Sequence, residues 1–196
     1  QQAPRGTLRV TAPETFGMSW LAGQLATFAG RHPGLTVAID PSGALADLSR
    51  GEAEVAIRTV RSSEQRLVAQ RVAEVRYGMY ATPAYLEAHP VSGVEDLPNH
   101  RVLAPPADLR SPEGRWLAEI APEVVPALVS ELSMTLLTAA RADGGLAVLP
   151  RFLGDPDSAV HYVPMPAEPT ESLWLTVHED ARRIPRVRAL LDFLGE

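Results

Sequence analysis

Gly6-Thr-Leu-Arg-Val-Thr-Ala-Pro-Glu-Thr-Phe-Gly17 sets a short strand directly before a helix opening at Thr15, and a second unit of the same kind ends in Glu52-Ala-Glu-Val-Ala-Ile-Arg58. Helix starts offer unpaired N–H groups and a positive dipole end, which favour anions and hydrogen-bond acceptors. In an open α/β sheet they gather along one edge, where small ligands bind. Ser42 and Gly43 open the next helix along that edge. Arg58 and Thr59 end the strand after it. An arginine there is able to clamp a carboxylate by paired hydrogen bonds, and equally able to lie on the surface bonded to Glu54 or Glu64. The chemistry on offer is recognition rather than bond making.

Patterns that carry catalysis are missing. The sequence has no Gly-x-Ser-x-Gly, P-loop, dinucleotide fingerprint or His-Glu-x-x-His, so nucleophile, phosphate and zinc chemistry lack their spacing. His32, His89, His100, His161 and His178 are scattered. His178-Glu179-Asp180 is the tightest cluster, but neighbours on a strand alternate faces and rarely converge, so it reads as surface. Cysteine is absent, which excludes disulfides and thiolate metal ligands. No catalytic residue, cofactor or metal is expected.

Net charge is −6, and all 18 basic residues are arginine, unclustered along the chain. That argues against this chain gripping DNA phosphates by itself. With 45% apolar and 21% charged residues, it should form a globular core. No apolar run approaches the roughly 18 residues a membrane helix needs, and Gln1 to Gly6 is no signal peptide. A cytoplasmic location is favoured, although a mature exported chain would look the same.

The elements that must position these residues are set by periodicity and punctuation. Leu8–Ala12 reads as a strand, and Gly17 to Arg31 as a helix with Trp20, Leu21, Leu25 and Phe28 on one face, stopped by His32-Pro33-Gly34. Leu35–Asp40 and Val55–Arg58 are strands, with a short helix from Ala44 to Arg50 between them. Two βα units leading into a strand imply parallel pairing. Leu67 to Thr82 is a long extended run able to leave one lobe and enter another. Thr82-Pro83 and Ser111-Pro112 pair an N-cap with proline in the first turn. Val94 to Leu97 is a helical turn and Arg101–Ala104 a strand. Val124–Leu132 is a strand, Ser133–Ala142 a helix stopped by Gly144-Gly145, and Leu146–Leu149 a buried strand. Val160–Val163 and Leu173–Val177 bracket a proline-rich loop that suits a second crossing. Arg183–Leu194 is an amphipathic terminal helix. The expected product is two α/β lobes, residues 1–74 with 168–196 and residues 75–167, joined by two extended crossings around a cleft.

In order and spacing, six stretches resemble the effector-binding, or regulatory, domain of LysR-type bacterial transcription regulators. They are Gly6-Thr-Leu-Arg-Val-Thr-Ala-Pro, Phe28-Ala-Gly-Arg-His-Pro33, Leu48 to Arg58, Tyr80-Ala-Thr-Pro-Ala-Tyr-Leu86, Val94 to Leu97 and Gly144-Gly-Leu-Ala-Val-Leu-Pro150. The resemblance implies two Rossmann-like lobes of the type II periplasmic-binding-protein kind. It implies a small-molecule effector in the cleft, and a side-by-side homodimer using Gly17–Arg31 and the region Tyr77–His89. Tetramers form in full-length members. DNA binding belongs to an N-terminal winged helix-turn-helix that this sequence does not contain. The turn Ser42 to Ala46 is shorter than the family pattern. A periplasmic solute-binding protein shares the two-lobed design and is the main rival; an enzyme on the same scaffold is the third reading.

The family's pocket maps onto residues from both lobes. Thr15 falls where a polar helix cap touches the effector, a role compatible with plain N-capping. Pro13, Glu14 and Phe16 shape the same wall, and Glu14 would repel an anion. Ser42, Gly43, Arg58 and Thr59 continue it. On the second lobe Ser133 and Met134 start a helix, and Pro150, Arg151 and Phe152 come after the strand Leu146–Leu149; Phe152 suits the core equally well. These features favour a ligand with a carboxylate or another acceptor.

Overall fold

The computed structural model describes residues 3–42, 47–107 and 111–195. The chain divides into two compact units, residues 1–74 with 172–196 and residues 75–171, and passes from one to the other twice.

In the first unit β1 (Gly6–Thr11) leads into α1 (Glu14–Phe16), which runs through a π turn (Gly17–Leu21) into α2 (Ala22–Arg31). The helix starts one residue earlier than the sequence predicts. Pro13 is its N-cap, with φ −57° and ψ 139° and no side-chain cap, and its carbonyl accepts the Gly17 N–H at 2.7 Å. The proline ring already holds the φ that a cap position needs. The π turn adds a residue to one helical turn and rotates α2 relative to α1. Leu21, Leu25 and Phe28 are buried, whereas Trp20, expected on the apolar face, is 41% exposed.

β2 (Leu35–Asp40) lies parallel to β1 from Gly6 opposite Leu35 to Thr11 opposite Asp40. β3 (Val55–Arg58) lies parallel on the other side of β1. β9 (Thr170–His178) runs antiparallel to β3. The parallel pairing expected from the two βα units is present, so β1, β2 and β3 all end on one edge. The terminal helix α7 (Pro185–Leu194) buries Val187 and Leu190, and Phe193 meets Phe28 at 5.4 Å between ring centroids. A 3₁₀ turn, Ala181–Arg183, precedes it where the sequence predicts the helix to begin. Of the short helix expected over Ala44 to Arg50, residues 44–46 lie outside the described part. The remainder is a turn in which Asp47 Oδ1 accepts the N–H groups of Ser49 (2.8 Å) and Arg50 (3.1 Å). A side chain that satisfies backbone donors locally competes with a helix.

The second unit is built on the later part of β4 (Leu67–Ala81), with β7 (Leu146–Pro150) and β8 (His161–Val163) antiparallel to it. β5 (Val102–Ala104) lies parallel to β7 and to β6 (Leu128–Val129). Because strand side chains alternate, Met79, Val102, Ala104, Leu146 and Val148 pack on one face with Tyr85, Trp116 and Leu117. Those aromatic and leucine side chains come from α3 (Pro83–Ala88) and α4 (Pro112–Ile120). Tyr80, Leu103, Ala147 and Leu149 face the other way, against Leu136, Leu137 and Leu153 of α5 (Ser133–Arg141) and α6 (Arg151–Gly154). Both predicted N-caps hold: Thr82 accepts from the Tyr85 N–H and Ser111 from the Gly114 N–H. The strand expected over Val124–Leu132 shrinks to β6, since Pro126 has no donor and Val125 is 86% exposed. Helix α6, which begins at Arg151, is too short for sequence periodicity to disclose.

Candidate functional site

In the first unit the parallel register carries the predicted residues to one edge. Thr11 at the end of β1 lies opposite Asp40 of β2 and Ala56 of β3, so Pro13–Phe16, Ser42 and Arg58–Thr59 all sit at or just beyond the carboxyl ends of neighbouring strands. Thr15 is the second residue of the helix rather than its cap. Its N–H is therefore among the first-turn donors that lack an intrahelical acceptor. Glu14, Thr15, Arg58 and Thr59 are part-buried and Ser42 is exposed. Phe16 is buried and stacks on Trp20 at 5.0 Å. A Cβ on Gly17 would come within 2.9 Å of the Pro41 Cβ, so the missing side chain lets the helix approach the loop after β2. Asp40 Oδ1 accepts the Ser42 N–H at 3.0 Å, which holds the Asp40 carboxyl below its ordinary value. Gly43 lies outside the described residues. Glu54, one surface partner considered for Arg58, accepts hydrogen bonds from Arg186 (Nε at 3.0 Å, and Nη2) and from the Arg9 N–H at 3.2 Å.

The second unit repeats this logic. β5, β6 and β7 are parallel, and the residues after β6 and β7 are the Ser133–Met134 and Arg151–Phe152 starts of α5 and α6. Leu132, not Ser133, is the N-cap of α5, without a side-chain cap bond, and Pro150 is the N-cap of α6. Ser133, Met134, Arg151 and Phe152 are part-buried and Pro150 is buried; Met134 and Phe152 pack against the core beneath α5.

Arg151 is already engaged. Its Nε donates to Asp155 Oδ2 at 3.2 Å and its guanidinium lies 4.5 Å from the Tyr162 ring centroid. Asp155 Oδ1 accepts the Tyr80 hydroxyl at 2.5 Å, and the Tyr162 hydroxyl donates to Glu168 Oε1 at 2.7 Å. Burial, reinforced by Asp155, pushes the Tyr80 hydroxyl's pKa up; burial and then Glu168 do the same for Tyr162. Both phenols stay neutral donors. A ligand carboxylate reaching Arg151 must share it with Asp155. Sequence reasoning misses Tyr80, Asp155, Tyr162 and Glu168: Tyr80 lies 75 positions from Asp155, and Tyr162 and Glu168, six apart, meet across a loop that carries no periodicity; the four-residue spacing of Arg151 and Asp155 is the one available sign.

The cluster His178-Glu179-Asp180 is a surface ion-pair knot. Arg66 donates to Glu179 at 2.9 Å and to Asp180 at 2.7 Å, and His178 Nδ1 accepts the Asp180 N–H at 3.3 Å. Among the described residues no group of three or more His, Cys, Asp or Glu side chains is placed to hold a metal ion. No helix among them is long and apolar enough to cross a membrane.

Residues 1–196 match the protein-family model described as the LysR substrate binding domain. The regulatory domain of CrgA, a LysR-type transcriptional regulator from Neisseria meningitidis, superimposes with a TM-score of 0.82 at 21% identity, covering 98% of each chain. The full-length virulence activator AphB of Vibrio cholerae superimposes with a TM-score of 0.77 at 17% identity, covering 98% of this chain and 68% of AphB. An HTH-type transcriptional regulator of Xanthomonas campestris is 33% identical over 109 residues, 53% of this chain and 30% of that protein. An uncharacterized HTH-type regulator of Haemophilus influenzae is 25% identical over 155 residues, 76% of this chain and 53% of that protein. The chain thus spans about a third to a half of these curated relatives. The mixed α/β architecture is the type II periplasmic-binding-like fold of LysR regulatory domains.

Proposed function

The chain belongs to the LysR substrate-binding-domain family, and from that premise we propose that it is the ligand-sensing domain of a cytoplasmic transcription regulator. A small metabolite binds between the two lobes, contacting Thr15, Ser42 and Arg58 from one and Ser133 and Arg151 from the other. The observation that carries this reading is that, within each unit, parallel strands deliver those residues to a single carboxyl edge. Helix-start N–H groups there favour an acceptor such as a carboxylate, with Glu14 and Asp155 limiting how much negative charge is tolerated. Binding regulates only if the effector prefers one arrangement of the lobes over another, since equal affinity moves no population. Transmission to DNA requires an N-terminal helix-turn-helix of a longer protein, and the working assembly is a homodimer of these domains, tetrameric when full length.

A thermal-shift screen of metabolites tests the site. A ligand selective for the folded state raises the melting temperature by mass action, about 2.7 kcal/mol at a hundredfold excess over Kd. Thr15→Arg with Ser133→Arg should abolish that shift while leaving the unliganded melt in place. A shift that survives the pair moves the pocket elsewhere.

A further inference from the structure

Several arginines of this chain are matched with acids, Arg66 with Glu179 and Asp180, Arg71 with Glu74, Arg141 with Asp157, Arg151 with Asp155 and Arg186 with Glu54, and others are engaged differently, Arg61 over the Trp174 ring and Arg101 on the Asp143 carbonyl. The approach to α7 differs, and it corrects the reading of the arginines as unclustered: Arg182, Arg183, Arg186 and Arg188 fall within seven residues. Arg182, Arg183 and Arg188 line two adjoining hollows of about 450 and 700 Å³, which share Arg183, Arg188 and Asp192. Among the described residues Asp192 is the one acid lining either, and it meets Arg188 only at 4.0 Å with both side chains largely in water. Among the described residues Arg182 and Arg183 have no ion-pair partner. His32 closes the first hollow from the end of α2, and Gln70 adds a neutral polar group to the second.

We propose that this trough is a second ligand site, which takes a small di- or polyanion, a phosphate ester or a polycarboxylate. Among the described lining residues three guanidinium forks stand against a single carboxylate, a surplus of two positive charges in a chain whose net charge is −6. Such forks pair bidentately with phosphate and carboxylate oxygens. The volumes fall in the range of about 300–1,000 Å³ typical of small-ligand sites. A nucleic acid backbone fits less well, because the acidic remainder of the chain repels an extended row of phosphates while leaving a compact anion little affected.

The trough is separate from the candidate effector residues. Pro4, before β1, lines it, whereas Pro13–Phe16 lie beyond the other end of that strand. At about 3.3 Å per residue the six-residue β1 alone puts roughly 20 Å between the two. The same separation runs from Thr15, at the start of the first helix, to His32 at its end. The inference therefore stands or falls independently of the proposed effector pocket.

The test uses the whole chain with sodium pyrophosphate and sodium citrate, each against sodium chloride at equal ionic strength, read by calorimetric titration and melting temperature. The expected result is saturable binding of at least one anion with a melting shift that chloride does not give, and the stronger of the two names the ligand class. Arg183→Gln with Arg188→Gln should weaken it tenfold or more, while Thr15→Ala with Ser133→Ala should leave it unchanged. Arg182→Gln, on the exposed 3₁₀ turn, gives a milder check should the double variant fold poorly, with an expected weakening of at least threefold. Absence of binding beyond the chloride control overturns the proposal. So does binding indifferent to the arginine substitutions, or binding lost only in the Thr15 and Ser133 variant.

Discussion

Replacing Arg141 with methionine removes the partner of a nearly buried acidic side chain in the second unit, Asp157. Arg141 ends α5, and its Nε and Nη2 both donate to Asp157 Oδ2, the former at 3.0 Å, while Asp157 Oδ1 accepts the Ala159 N–H at 2.9 Å. The Asp157 side chain is 8% exposed and that of Arg141 is 47% exposed. Breaking a fully buried pair costs about 3–5 kcal/mol, and a hydrogen bond to a charged group contributes about 1.5–3 kcal/mol. Since half of Arg141 is in water and Asp157 keeps a backbone donor, about 2 kcal/mol is the expected loss. At this chain length that lowers the melting temperature by about 4–8 °C. The sign with pH is set by Asp157, whose carboxyl Arg141 holds below its ordinary value. Stability from such a group is fully present above the unfolded pKa, near 3.9, and is lost as pH falls through the lower folded one. Calorimetric melts of the parent and Arg141→Met should therefore differ at pH 7 and 5 and converge below about pH 4. Adding Asp157→Asn to the variant should recover part of the loss, because the stranded charge is then gone. Coincident melts at pH 7, or a gap that persists unchanged into acid, would refute the coupling.

Gly145→Ala should cost about 3 kcal/mol or prevent folding, because φ is +146° and the new Cβ would sit 2.1 Å from the Arg101 carbonyl oxygen that accepts the Leu146 N–H; an unchanged urea midpoint would mean the loop yields without strain. Tyr77→Phe removes the donor to Glu171 Oε2 at 2.9 Å. Burial, the dominant influence, raises the Glu171 carboxyl, and that hydrogen bond partly opposes it. A carboxyl raised on folding lends stability in acid that is lost as pH rises through its folded value. The variant, with Glu171 raised further, should lose about 1 kcal/mol more than the parent between pH 4 and pH 7. Equal urea midpoint differences at the two pH values would rule out Glu171 as the cause.

Elements from both units show what sequence does and does not disclose. The strands Leu35–Asp40 and Val55–Arg58, and both cap-plus-proline helix starts, are legible because their signals are local: alternation, a hydroxyl acceptor, a fixed φ. The π turn at Gly17–Leu21 carries no such mark, and a single extra residue in it is enough to put Trp20 in solvent; the helix start moves from Thr15 to Glu14 for a separate reason, the cap geometry that Pro13 already holds. Val124–Leu132 fails for the opposite reason, since its apolar composition looks right while strand formation depends on a partner, and within it β5 pairs only with the short stretch from Ala127 to Ser130.

The same distinction governs the candidate site. That Thr15, Ser42 and Arg58 lie at neighbouring strand ends can be inferred from the order of βα units alone, because parallel pairing leaves no other edge for them. The charge state of that site cannot. Arg151 is read from sequence as a spare cation, yet Asp155, four residues on in a helix that sequence does not reveal, shares it, and Tyr80, 75 positions away, orients Asp155. Within each unit the formal charges of the proposed contacts balance, Glu14 with Arg58 in the first and Asp155 with Arg151 in the second. A carboxylate effector would then owe its affinity to directed N–H donors rather than to an excess of positive charge, and its binding should depend more on shape and hydrogen-bond geometry than on salt.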